Sequence, residues 1–184
     1  MGIIFQSLGR TVSAGVLLLV IVMVMTTGAL DLVNGLRWAH TISGVLWIGL
    51  LYYFNFVQIP SMPKIPDEHK PAIGKVIAPA ALFWFRWAAL ATVVTGLVVA
   101  AGAGYLVQAL TLDATVQMIG IGMWLALVMA FNVWFIIWPN QKKALGIVVV
   151  EAAEKAKAAR MAMLTSRFNT MLSIPMLYCM IAQS

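Results

Sequence analysis

Apolar residues run almost without interruption through most of this chain, broken at intervals by short stretches rich in charged residues, proline and glycine. A bilayer hydrocarbon core of roughly 30 Å takes about 20 helical residues at 1.5 Å each, and the apolar runs reach that length. The pattern predicts five spans, at about 12–33, 37–59, 82–108, 114–138 and 160–182. Asp31, Asn34 and Gly35 mark the first turn, and Pro60 stops the second span inside a Pro-rich aqueous or interfacial connection, IPSMPKIPDEHKPAIGKVIAP. The short TLDAT stretch makes the third and fourth spans an antiparallel pair. After Pro139, Glu151 with Lys155 and Glu154 with Lys157 have the spacing of helical ion pairs, which predicts a solvated helix leading into the fifth span. Arg167, Asn169 and Pro175 interrupt that last span. No internal repeat and no second domain is visible, so the expectation is an all-α, polytopic membrane helical bundle forming a single integral membrane domain over 1–184.

Composition agrees, with 62% hydrophobic and only 10% charged residues where a soluble domain carries about 25%. The net charge of +6 comes from basic residues in loops beside apolar helices, which the positive-inside rule explains without nucleic acid. With five spans one side receives Arg10, Lys64, Lys70, Lys75, Lys142, Lys143, Lys155, Lys157 and Arg160, with Arg86 near its edge, and the other receives Arg37. The expected N-terminus is therefore cytoplasmic. Arg10 and the apolar stretch 12–25 also have the shape of a signal peptide, but the cleavage site near 26–30 is poor, and the segment reads as a retained first helix. Cys179 is the only cysteine, so no internal disulfide, CxxC pair or CxxCH haem attachment is available. Any cofactor must be held non-covalently or belong to a partner.

Polar groups inside a membrane are costly and need a partner or a purpose. The topology places Asn55, Arg86, Asn132, Arg167 and Asn169 toward the cytoplasmic ends of their helices, where they either build an anion or headgroup site or serve as interhelical hydrogen bonds and snorkelling arginines. His40 lies about one turn inside the second span near the outer face, on a stripe with Gly44 and Trp47. It admits two readings: an axial ligand or hydrogen-bond donor to a b-type haem or a quinone, with Gly44 leaving room, or a histidine bonded to a neighbouring helix or interfacial water. A bis-histidine haem is disfavoured because His69 lies in the opposite loop, and even the stretch from His40 to Ile59 spans about 28 Å along a helix. Ala88, Thr92, Gly96, Ala100 and Gly104 recur every four residues, a small-residue stripe suited to close helix packing. Hydrolase triads, phosphate loops, clustered metal ligands and carboxylate pairs are missing from the sequence.

Four stretches, RWAHTISGVLWIGLLYYFNFVQIP (37–60), LFWFRWAALATVVTGL (82–97), FNVWFIIWPNQKK (131–143) and SRFNTMLSIPMLY (166–178), together resemble the N-terminal membrane domain of the cytochrome c-linked bacterial urate oxidases, the urate hydroxylase membrane family. The positions matching its motifs are His40, Trp47, Arg86, Asn132, Asn140, Arg167 and Asn169. The resemblance implies a multi-pass protein of the bacterial inner membrane. That family is usually longer, with further helices and a C-terminal cytochrome c domain on the outer side. Ending without CxxCH, this chain resembles the membrane part alone, and urate oxidation by it would need a separate periplasmic cytochrome c or a quinone. Two functional expectations follow: an accessory or electron-transfer subunit packed against other integral membrane subunits of a larger respiratory or photosynthetic complex, or a membrane urate oxidase passing electrons to a separate cytochrome c.

Overall fold

A computed structural model describes residues 2–182, and every regular element among them is helical. Five long helices carry the architecture: α1 (Leu8–Thr27), α2 (Leu32–Lys64), α3 (Lys70–Gly102), α4 (Gln117–Ala144) and α5 (Ala152–Ala182). The first four are long and apolar enough to cross a membrane, with mean hydropathy between 1.5 and 2.2. The fifth is 31 residues long but opens on a charged half, EKAKAAR, and carries Pro175 in its interior.

The helix boundaries differ from the sequence expectation for local reasons. Gly28 takes the left-handed conformation (φ 74°) and its N–H caps Val24 O, which ends α1 six residues before the expected limit. Asp31 then starts α2 early, its carboxylate accepting from Asn34 N at 3.0 Å; these hydrogen bonds hold the carboxyl below its ordinary pKa. At the far end α2 continues through Pro60 to Lys64. The third span ends at Gly102, and residues Leu106–Leu110 form a separate short helix that folds back on α4, with Trp124 Nε1 donating to Leu110 O at 3.0 Å. Gly104, expected on the small-residue stripe, sits in the intervening turn at φ 79°.

Three segments are π-helical: Tyr53–Gln58, Ile73–Ile77 and Asn132–Ile137. Each gives way to α-helix at the residue immediately before a proline, at Ile59, Ala78 and Trp138, whose N–H groups bond five residues back. A proline ring in a helix clashes with the carbonyl four residues earlier and offers it no N–H. Widening the preceding turn relieves that clash without ending the helix. Sequence reasoning stopped the second span at Pro60 for want of this option.

α2 and α3 pack along most of their length, and α4 and α5 form the second pair. Between the pairs lies a core of Trp47, Leu51, Phe85, Met129, Val133 and Ile137, each at most 2% exposed, with Phe54 meeting Phe85 edge-on at 5.6 Å. The opposite faces present Phe56, Val94, Phe135 and Ile174 outward, an apolar surface suited to lipid rather than water. α1 buries none of its residues, and Met23 Cε comes near Gly35 at the start of α2, 3.8 Å from where a Cβ would stand.

Gly120 marks the tightest approach, because a Cβ there would collide with the carbonyl oxygen of Ala109 in the short helix. Gly120→Ala is expected to destabilise the bundle by about 1–3 kcal/mol. Gly49→Ala, where a Cβ meets nothing within 4 Å, should be neutral or gain up to about 1 kcal/mol. Detergent unfolding of the two variants checks the contrast.

Candidate functional site

The buried face of α5 reads Ala158, Ala162, Ser166, Asn169, Ser173, Met176 and Cys179, a spacing of three and four that keeps one stripe turned inward. Small residues at its start let neighbouring helices approach, and its middle is polar. Each polar member bonds to another helix. Asn55 Nδ2 donates to Ser166 Oγ at 2.8 Å while also reaching Leu51 O at 2.9 Å, and Tyr52 Oη meets Ser173 Oγ at 3.0 Å. Asn132 Nδ2 donates to Asn169 Oδ1 at 2.8 Å, and Asn169 Nδ2 donates to Met129 O at 2.9 Å. Asn169 is completely buried and uses both ends of its amide. α5 is thus tied to α2 by two bonds and to α4 by two more.

The five residues expected in one polar cluster divide among three seams: Asn55 and Arg167 between α2 and α5, Asn132 and Asn169 between α4 and α5, and Arg86 between α3 and α4. Arg167 is exposed beside Asn55, Phe56, Thr170, Met171 and Ile174 in an open groove of about 420 Å³ between α2 and α5. Arg86 lies at the α3–α4 seam, its guanidinium carbon 3.9 Å from the centroid of the Trp138 ring and 5.5 Å from that of Phe83. Lys142 Nζ approaches the same Trp138 ring at 5.7 Å. Trp87 and Trp134 meet edge-on at 5.3 Å in the same seam. Such cation–π contacts contribute roughly 0.5–2 kcal/mol, depending on desolvation. Arg86 Nη1 and the indole N–H of Trp134 are nonetheless buried without a hydrogen-bond partner among the described residues. Asn140, the remaining motif position in α4, donates to Ile136 O at 2.8 Å.

His40 faces α3. Its Nδ1 lies 2.9 Å from Thr92 O and 3.3 Å from Thr95 Oγ1, and its ring lies over Gly96, where a Cβ would come within 2.8 Å of Cε1. Bonding to a carbonyl makes Nδ1 the protonated nitrogen and leaves the Nε2 lone pair free, a tautomer compatible with ligation. The space at Gly44 is occupied differently from the flat slot the sequence invites: the Thr92 methyl stands 3.8 Å from where its Cβ would be. Ala88, Thr92 and Ala100 of the small-residue stripe are buried, while Gly96 is the seat of the histidine. Trp47 is fully buried with its indole N–H unpartnered. No cluster of three or more His, Cys, Asp or Glu able to hold a metal occurs among the described residues.

The polar stripe of α5, its asparagine partner in α4 and the Trp138 seat of Arg86 all fall in one part of the chain. Residues 97–184 match the urate oxidase N-terminal family. The stretch similar to the urate oxidase N-terminal family begins inside α3 and takes in α4 and α5, with Asn132, Asn140, Arg167 and Asn169; His40, Trp47, Asn55 and Arg86 precede it. No curated protein and no solved structure matches the chain.

Sequence inspection missed Tyr52, Ser166 and Ser173 as bonding partners, although the Ser166, Asn169, Ser173 spacing carried the signal. It also missed Trp138 as the seat of Arg86, because the π turn before Pro139 alters the register of that face. Replacing Asn169 by Ala strands the Asn132 amide, leaves Met129 O with only the backbone N–H of Asn132, and should cost about 1–3 kcal/mol. In a double-mutant cycle Asn132→Ala should cost less on that background than alone, with a coupling of about 0.6–2 kcal/mol. Additive losses in reversible detergent unfolding would show that the pair does not interact.

Proposed function

We propose that this chain is an integral subunit of a bacterial inner membrane, with α5 as a fifth span and the N-terminus on the cytoplasmic side, acting as an accessory or electron-transfer partner within a larger membrane redox assembly. The ends of α2 and α4 and the starts of α3 and α5 carry Lys64, Lys70, Lys142, Lys143, Lys155 and Lys157, which supports that sidedness. The carrying observation is the use made of α5: Ser166, Asn169 and Ser173 are engaged in holding helices together. α1, apolar and without a buried residue, offers a whole helix surface to lipid or to neighbouring membrane subunits.

The family match favours a second reading, a membrane urate oxidase that passes electrons to a separate periplasmic cytochrome c. In that reading His40 is the residue to hold or contact a b-type haem or quinone, since its Nδ1 bond to Thr92 fixes the ring and leaves Nε2 available. No other cofactor position is supported as well.

The purified chain, mixed with urate and soluble cytochrome c, distinguishes the two. The accessory reading expects no urate-dependent cytochrome reduction by the chain alone, and expects gentle extraction from native membrane to yield it in a stable larger complex. Urate-dependent reduction by the isolated chain, abolished in His40→Ala with the fold retained, would replace that reading with the oxidase.

A further inference from the structure

We infer that Arg86, Lys142 and the Trp138 ring form a specific site for a phosphate-type anion, occupied by the headgroup of an anionic phospholipid. Both cations lie against one indole, Arg86 at 3.9 Å and Lys142 at 5.7 Å, and Phe83 flanks the guanidinium at 5.5 Å. The indole face holds the guanidinium in place, and a guanidinium's N–H groups suit an oxyanion. One of its nitrogens, Nη1, is buried with no partner.

Among the described residues no side-chain carboxylate pairs with Arg86 or Lys142. Of the six Asp and Glu side chains, Asp67 pairs with Lys70 at 2.6 Å and Glu154 with Lys143 at 2.5 Å, while Asp31 and Asp113 bond within their own turns. Glu68 and Glu151 are exposed on the connections, and neither forms an ion pair with Arg86 or Lys142 among the described residues. A half-buried arginine that shares an indole with a second cation and keeps a buried Nη1 without a partner calls for an anion from outside. Trp138 stands where α4 passes from its apolar stretch to the sequence PNQKK, the level at which indoles meet lipid headgroups. Phe83, Trp84 and Trp87 present exposed rings alongside, an apolar surface for the acyl chains of a lipid whose phosphate is held. These features select a membrane-embedded phosphodiester over a soluble anion and do not depend on which side of the membrane the site faces.

Native mass spectrometry of the detergent-purified full chain, with added phosphatidylglycerol or phosphatidylcholine, tests the site. Phosphatidylglycerol should be retained preferentially, and Arg86→Gln with Lys142→Gln should lower retention about fivefold for each cation removed, the factor expected for a basic residue at an anionic surface. Lys64→Gln, which removes an equal charge elsewhere, should leave retention unchanged. Inorganic phosphate in large excess should not displace the lipid; if it does, the anion site stands and its source is soluble. Equal retention of the two lipids by the parent chain overturns the proposal, as does undiminished phosphatidylglycerol binding in the double variant. Should the double variant fail to fold, Lys142→Gln alone carries the test, with a loss of about fivefold expected and no loss overturning the site.

Discussion

The Asn132–Asn169 hydrogen bond, with the Asn169 amide closing onto Met129 O, is the contact on which the second helix pair depends. In lipid, apolar side chains gain little by leaving one apolar surface for another, so helices associate through close packing and through polar groups that have nowhere else to go. Asn169 is fully buried and satisfies both ends of its amide on α4. Ser166 and Ser173 bond in the same way to α2. The least apolar of the five long helices is therefore fastened to two neighbours, and its polarity is a means of placement.

Proline supplies the second constraint. The π turns ahead of Pro60, Pro79 and Pro139 let the helices pass through each proline and continue beyond it. Two of these turns contain the buried asparagines Asn55 and Asn132, so the widened backbone and the polar seam occupy the same level of the bundle. The turn before Pro139 also sets the face on which Trp138 meets Arg86, which connects a backbone irregularity to an aromatic ring that two cations share.

The helical class was legible in the sequence because near-continuous apolar runs of bilayer length leave few alternatives. Helix ends were less so. The reach of α2 to Lys64 and the break at Gly102 depend on proline accommodation and on a folded-back turn, neither of which hydropathy encodes. Among the candidate residues, helix depth was enough to group Asn132 with Asn169, but depth does not give azimuth. Arg86 and Arg167, similar in depth on the sequence reading, stand at different seams for that reason. His40 was legible as a residue of interest; its bond to Thr92 O was not, since backbone acceptors in helices are normally engaged and leave no trace in a residue pattern.

The central claim, that the polar stripe of α5 fastens it in register against α4, is most directly tested by cross-linking in native membranes. Cys179 is the only cysteine, and its Cβ lies 2.9 Å from the position a Cβ would take at Gly122, so a single Gly122→Cys change creates a pair within a small shift of the usual disulfide separation of about 3.8 Å. Oxidation should give a rapid intramolecular disulfide, and adding Asn169→Leu should slow it by roughly tenfold, the equivalent of about 1.4 kcal/mol. No disulfide in the first case, or an unchanged rate in the second, would contradict the account.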